Sequence, residues 1–178
     1  NSPINYYDLG GSSTGDAAGP QPAPTTLTVP NSSVPSATVF DFGVQAQNEY
    51  IELPQLPSFT SITVSAWIKT QKTTTRQTII GNNGQIQTQR GWDLRLGKWD
   101  GSGYSRTEFE FYNSDGSVEI DVQQTLSKSL ADNQWHHVVA LWDGTTNTNG
   151  AKIFVDGLLA GQGTSSFAGP ISQPPATF

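Results

Sequence analysis

The sequence predicts an all-β chain, a two-sheet antiparallel β-sandwich of the jelly-roll type. Three observations carry this. Short runs that alternate apolar and polar residues recur from Ala37 onward, as half-buried strands require. Turn residues separate the runs, among them Asp115-Gly116 and Asp156-Gly157, pairs that tolerate the positive φ angles of a tight hairpin turn. No window of helical length carries an apolar face at i, i+3, i+4 spacing. Many short strands with frequent turns make a sandwich or barrel rather than βαβ units.

Taken in order, the chain opens with a short apolar piece, Ile4–Leu9, a candidate first strand. From Gly10 to Ser36 it is rich in Gly, Pro, Ser, Thr and Ala, the composition of an extended, irregular arm. Residues 1–36 are therefore read as an N-terminal arm and 37–178 as the sandwich domain. Strands are expected at Ala37–Phe42, Glu49–Leu53, Ser61–Lys69, Gln77–Asn82, Gly91–Leu96, Arg106–Tyr112, Ser117–Gln123, Trp135–Asp143, Ala151–Val155 and Leu158–Gln162. Ser127–Asp132 has room for one turn of helix.

The Asp115-Gly116 hairpin can be read outward residue by residue. Tyr112 faces Glu119, Phe111 faces Ile120, Glu110 faces Asp121 and Phe109 faces Val122. Apolar meets apolar on one face and polar meets polar on the other, and a slip by one residue destroys the match. The buried faces of the two sheets then carry Ile62, Val64, Ala66 and Ile68; Trp92, Leu94 and Leu96; Phe109 and Phe111; Val118, Ile120 and Val122; Ile153 and Val155.

Composition narrows the functions. Only 13% of the 178 residues are charged, against about 25% in an average domain, and Ser, Thr, Asn and Gln supply the polarity. That is the balance of a secreted or cell-surface β protein. The net charge of −6 disfavours nucleic acid and anionic membranes as partners and is compatible with neutral sugars and cations. Without cysteine there is no disulfide, zinc-thiolate site or cysteine nucleophile. No apolar run approaches the roughly 20 residues of a helical membrane span. The sequence contains no Met and is expected to be processed or part of a longer chain. Asn31-Ser32-Ser33 has the form of a glycosylation sequon.

Four motifs in order give a family resemblance. Phe40-Asp41-Phe42-Gly43 with Tyr50-Ile51-Glu52-Leu53 opens it. Ile62-Thr63-Val64-Ser65-Ala66-Trp67-Ile68-Lys69 follows, then Trp135-His136-His137-Val138-Val139 with Asp143-Gly144, and Ile153-Phe154-Val155-Asp156-Gly157. Phe40 to Gly161 thus resembles the laminin-G-like, or concanavalin-A-like lectin/glucanase, family. The resemblance implies a jelly roll that binds rather than catalyses. It also implies a structural calcium held by acidic side chains and carbonyls, here at Asp41, Asn48 and Glu49. The family's usual closing strand is not matched, so the chain is expected to be truncated.

Several residues are candidates for chemistry. His136 and His137 are adjacent on a strand, point to opposite faces and cannot chelate one ion. No serine stands beside them in the sequence, and Trp135 is expected to pack. Glu108, Glu110, Glu119 and Asp121 share one face of the hairpin with Tyr112. Such like charges need compensation from Arg95, Arg106 or Lys128, from solvation or from a bound cation. Glu119-Ile120-Asp121-Val122 also resembles the catalytic strand of related glucanases, in which two carboxylates flank the glycosidic bond. Here Gln123 or Gln124 stands at the second position, and neither can donate an acid proton. Exposed aromatics complete the set, because sugars stack on such rings. Trp99 and Tyr104 lie in the Gly-rich loop Gly97–Ser105, as loop anchors or as a ligand platform. Trp67 is opposite in parity to Ile62, Val64, Ala66 and Ile68 and belongs to the outer face unless a loop covers it. The predicted ligand-binding residues are Trp99, Tyr104, Tyr112, Glu110, Asp121 and Trp67. The reading is a non-catalytic carbohydrate-binding or adhesion module, outside the cell, that meets glycans or a surface polysaccharide. The alternatives are an architectural sandwich that meets other subunits in a filament, surface layer or virion, and a glycoside hydrolase.

Overall fold

The computed structural model describes residues 25–31, 34–41, 59–81, 91–98, 101–112 and 118–170, with side chains described from residue 59 onward except at 118 and 119. The chain divides into two compact units, Asn1–Pro54 and Gln55–Phe178. No helix occurs among the described residues.

In the first unit β1 (Thr25–Asn31) pairs with β2 (Val34–Asp41) as an antiparallel hairpin. β1 lies inside the stretch expected to be irregular. Its Thr, Leu and Val residues favour extended pairing, which a composition rich in Pro and Gly hides. Pairing is regular from Thr25↔Asp41 to Val29↔Ala37 and then shifts before Asn31↔Val34. The shift falls at Pro30, which has no N–H to give a ladder.

The second unit is a sandwich of two four-stranded antiparallel sheets. One has the order β10-β9-β8-β3 and the other β4-β5-β6-β7. The strands are β3 (Ile62–Ile68), β4 (Gln77–Gly81), β5 (Gly91–Leu96), β6 (Thr107–Tyr112), β7 (Val118–Gln123), β8 (His136–Trp142), β9 (Ala151–Val155) and β10 (Leu158–Gly163). Each of these lies within about a residue of its expected span. Glu49–Leu53 and Ile4–Leu9 lie outside the described residues.

The core sits between the sheets and follows the period-2 pattern. Trp92, Leu94 and Leu96 of β5, Phe109 and Phe111 of β6, and Ile120 and Val122 of β7 face Val64 of β3, Val138, Ala140 and Trp142 of β8, and Ile153 and Val155 of β9. Ile62 and Ile68 pack against this cluster half-buried. Phe111 is the aromatic hub: Trp92, Phe109 and Trp142 all lie within 6.4 Å of it, ring centroid to centroid.

Two features close the sandwich at one side. Gly161 of β10 lies so near β7 that a Cβ there would stand 2.3 Å from the Gln123 carbonyl oxygen. The segment after β7 then bonds back, Thr125 N–H to Ala160 O at 2.8 Å. Ser127–Asp132 forms no helical turn. Leu130 is instead fully buried, with its N–H donated to Ser105 O at 2.8 Å, so one apolar anchor overrides local helix preference.

Candidate functional site

Each sheet has a face turned away from the core, and the two faces differ in chemistry. On the β4–β7 sheet the alternate positions are Asp93 and Arg95 of β5, Glu108, Glu110 and Tyr112 of β6, and Asp121 and Gln123 of β7. The pairings Arg95↔Glu108, Asp93↔Glu110, Glu110↔Asp121 and Glu108↔Gln123 place them side by side. Three of the four expected hairpin pairs are found. Tyr112 pairs with Val118 rather than Glu119, because the register shifts between Phe111 and Tyr112. A bulge of this kind adds a residue that period-2 reading does not see.

Arg95 answers the like-charge problem. Its Nη1 donates to Asp93 Oδ1 at 2.5 Å and its Nη2 to Glu108 Oε2 at 2.7 Å and to Glu110 Oε2, while Nε donates to Gly97 O at 3.1 Å. The Tyr112 hydroxyl donates to the same Glu110 oxygen. Asp93, Arg95, Glu108 and Glu110 are all buried, and Asp121 is exposed and accepts from Gln123 Nε2 at 2.9 Å. One guanidinium does not neutralise this many buried carboxylates. Burial, reinforced by Glu110, pushes the Glu108 carboxyl up to about 7 despite Arg95. Burial also raises Glu110 against the pull of Tyr112 and Arg95, and raises the Tyr112 phenol, which its bond to Glu110 raises further. Burial disfavours the charge on Arg95, but Asp93, Glu110 and Glu108 together raise its pKa and hold it protonated.

Oxygens of Glu108, Glu110 and Asp121 lie within 4.8 Å of one another, a donor set that suits a hard cation, although Arg95 already bonds two of the three carboxylates. Of the two glutamine positions, Gln124 is structural. Gln124 is buried, accepts from Thr107 N–H at 3.1 Å and donates to the carbonyls of Leu126 and Lys128 at 3.1 and 2.6 Å. It ties β6 to the loop after β7 and offers no acid proton.

The outer face of the β10-β9-β8-β3 sheet is aromatic and aliphatic. Trp67 is 62% exposed and stacks on His137 at a centroid distance of 4.9 Å and an interplanar angle of 28°. Register explains the contact, since Trp67 pairs directly with His137 across β3 and β8. One indole face is covered by the imidazole. The other looks away from it, and β3 is the outermost described strand on that side. Ser65 Oγ lies 2.8 Å from His137 Nε2. A serine therefore does stand beside a histidine, 72 positions away in sequence and visible only once the β3–β8 register is known. Among the described residues no carboxylate side chain bonds the His137 ring to orient it as a catalytic base.

His136 takes the opposite face, as adjacent strand residues must. It is buried, with Nδ1 2.9 Å from Asp156 Oδ2 and Nε2 2.9 Å from Asp132 Oδ1. Asp156 also accepts from Lys128 Nζ at 2.5 Å and from the His137 N–H at 2.9 Å. Its own burial works against ionisation, but Lys128, His136 and the His137 N–H hold its carboxyl well below the usual range. The His136 hydrogen bond likewise lowers Asp132. The motif is a clamp that ties the loop before β8 to the β9–β10 turn.

Of the predicted ligand residues, Glu110, Tyr112 and Asp121 come together on one sheet, and Trp67 stands on the other. Tyr104 is half-buried and lies across its loop, with its ring beside Gly97 and its hydroxyl near Gly101. Trp99, Asn48 and Glu49 lie outside the described residues, and Asp41 is the last residue of β2.

Mouse laminin alpha1 chain, domains LG4-5, is similar at 18% identity and a TM-score of 0.48 over 71% of this chain, which spans 32% of that one. Comparison with curated proteins gives no match. A laminin-G family model described as the concanavalin A-like lectin/glucanases superfamily matches residues 45–177. With that match over most of its length and two antiparallel four-stranded sheets around one core, the chain belongs to the concanavalin A-like lectin/glucanases superfamily.

Proposed function

We propose that this domain is a non-catalytic carbohydrate-binding or adhesion module of a secreted or surface protein, with Trp67 as its sugar-stacking platform. The exposed indole of Trp67, backed by His137, carries the reading. A ring held by a neighbour loses little freedom on binding, and its open face suits the apolar face of a pyranose. Ser65 and the imidazole edge supply hydrogen bonds for hydroxyls. Asp121 and the half-buried Tyr112 on the opposite sheet, with the buried Glu110 bonded to Tyr112, and Trp99 and Tyr104 in the loop after β5, are the second candidate contact region. The hydrolase reading is set aside because the second catalytic position is Gln123 or Gln124, neither of which can donate an acid proton, and Gln124 is tied to backbone groups.

Calcium belongs to the same proposal as a stabilising ion, at Asp41, Asn48 and Glu49 or at the Glu108, Glu110 and Asp121 oxygens, where carboxylates would ligate it. The test is a glycan array read with calcium and with a chelator, on the parent protein and on Trp67→Ala. A defined set of hits that Trp67→Ala loses supports the platform. Loss on chelation adds the ion. Silence from a folded sample in both conditions rejects the glycan reading.

A further inference from the structure

The His136 side chain is 3% exposed and has a carboxylate oxygen 2.9 Å from each ring nitrogen, Asp156 Oδ2 at Nδ1 and Asp132 Oδ1 at Nε2. An ionised carboxylate only accepts, and a neutral imidazole carries one N–H. Both contacts are hydrogen bonds only when the ring holds two protons. Neither carboxyl supplies a proton of its own. Burial works against ionisation of Asp156, but Lys128, His136 and the His137 N–H hold it well below the usual range, and the His136 bond and the Gln134 N–H lower Asp132. A ring without its second proton therefore turns a lone pair towards one of the two oxygens.

The groups around the ring decide which arm gives way. The β9–β10 turn presents Asp156, which keeps Lys128 Nζ at 2.5 Å and the His137 N–H at 2.9 Å whatever the state of the ring. The loop before β8 presents Asp132, 41% exposed, which also accepts the Gln134 N–H of its own loop. β3 presents Ile68, the apolar cross-strand partner of His136. The Asp132 arm is the one that lets go, because its oxygen turns readily to water. That arm holds the second half of the loop. The first half is fixed independently, by Gln124 Nε2 to Lys128 O at 2.6 Å and Thr125 N–H to Ala160 O at 2.8 Å. Further on, Leu130 N–H reaches Ser105 O at 2.8 Å and Asn133 N–H reaches Thr70 O at 2.9 Å. Ser105 follows Tyr104 and Thr70 stands three residues past Trp67, so this half-loop braces both candidate contact regions.

We propose that the Asp132–His136–Asp156 bridge is a proton-operated latch, which fixes residues 129–134 against the sandwich while the imidazole is charged and frees them when it is neutral. The bond count sets the sign. The Asp132 arm is present at lower pH and is lost as pH rises through the titration of the ring, while both carboxyls stay ionised. The latch works in the free protein and needs no glycan.

Solution NMR of the whole chain from about pH 5 to about pH 9 tests this across the range in which imidazoles titrate. The ring nitrogens of His136 are expected to show two N–H groups at the low end and one at the high end. Hydrogen exchange of the Leu130 and Asn133 amides, corrected for the pH dependence of unstructured amides, should accelerate by at least about tenfold with the same midpoint, the factor that one charge-assisted bond carries. The Thr125 amide, in the independently fixed half, should not follow. Asp132→Asn puts an amide that can donate to the neutral ring in place of the exposed carboxylate, so protection of Leu130 and Asn133 should become independent of pH. A His136 ring that keeps one protonation state throughout, loop amides that ignore its titration, or an Asp132→Asn variant with the pH dependence of the parent overturns the latch.

Discussion

Arg95 has 1% of its side chain exposed and three carboxylates around it, and this arrangement sets its sensitivity to change. Arg95→Met removes the guanidinium bonded to Asp93, Glu108 and Glu110. Breaking a buried pair from one side costs about 3–5 kcal/mol, to be read from urea denaturation. Glu108 predicts the pH behaviour of the same cluster. Its carboxyl is raised to about 7, so the folded state holds the proton more tightly than the unfolded chain. The resulting stabilisation is complete below the ordinary glutamate range and is lost as pH rises through about 7. Glu108→Gln should flatten that decline in melting temperature between about pH 5 and pH 8. Asp156 works in the other direction. Its carboxyl is depressed, so its contribution is present above the usual aspartate range and is lost as pH falls below about 4. Asp156→Asn should weaken the acid dependence while it keeps the turn, since Asn tolerates the positive φ of 50° at this position.

At the scale of strands, the seam between β10 and β7 admits no side chain at Gly161. Gly161→Ala puts a methyl group against the Gln123 carbonyl, and the backbones must part. Overpacking of this kind costs about 1–3 kcal/mol, measurable by thermal denaturation. Alternation made the strands legible in advance. Phe109↔Val122, Glu110↔Asp121 and Phe111↔Ile120 follow from matching apolar to apolar across Asp115-Gly116. The pair that reading misses, Tyr112↔Val118, depends on an extra residue that composition does not mark. β1 was hidden for the opposite reason. Pro30 and the residues before the strand carry a loop signature, while its pairing depends on Val39 and Phe40 further along the chain. Leu130 shows the same limit, because its burial is decided by a backbone contact with Ser105.

For the whole molecule, what remained illegible is what depends on distant register. Parity alone put Trp67 on the outer face and separated His136 from His137. Nothing in the linear order placed Ser65 on His137 or Trp67 over the imidazole, since β3 and β8 are joined only after four other strands have crossed to the second sheet. Nor did any local cue select Arg95 over Arg106 and Lys128 as the counter-charge. The pairing of β5 with β6 makes that choice. The same pairings segregate the side chains turned away from the core, with largely buried carboxylates on one sheet and aromatic and aliphatic groups on the other.

The stacked Trp67 also gives the molecule an optical signal. Trp92 and Trp142 are sealed in the core and Trp135 is half-shielded, so a small aqueous quencher meets the Trp67 indole first among these four. Among these four, the Trp67 indole is the one whose emission is expected at the red edge. A sugar that settles on the free indole face shields that emitter and shifts its light towards the blue without any label.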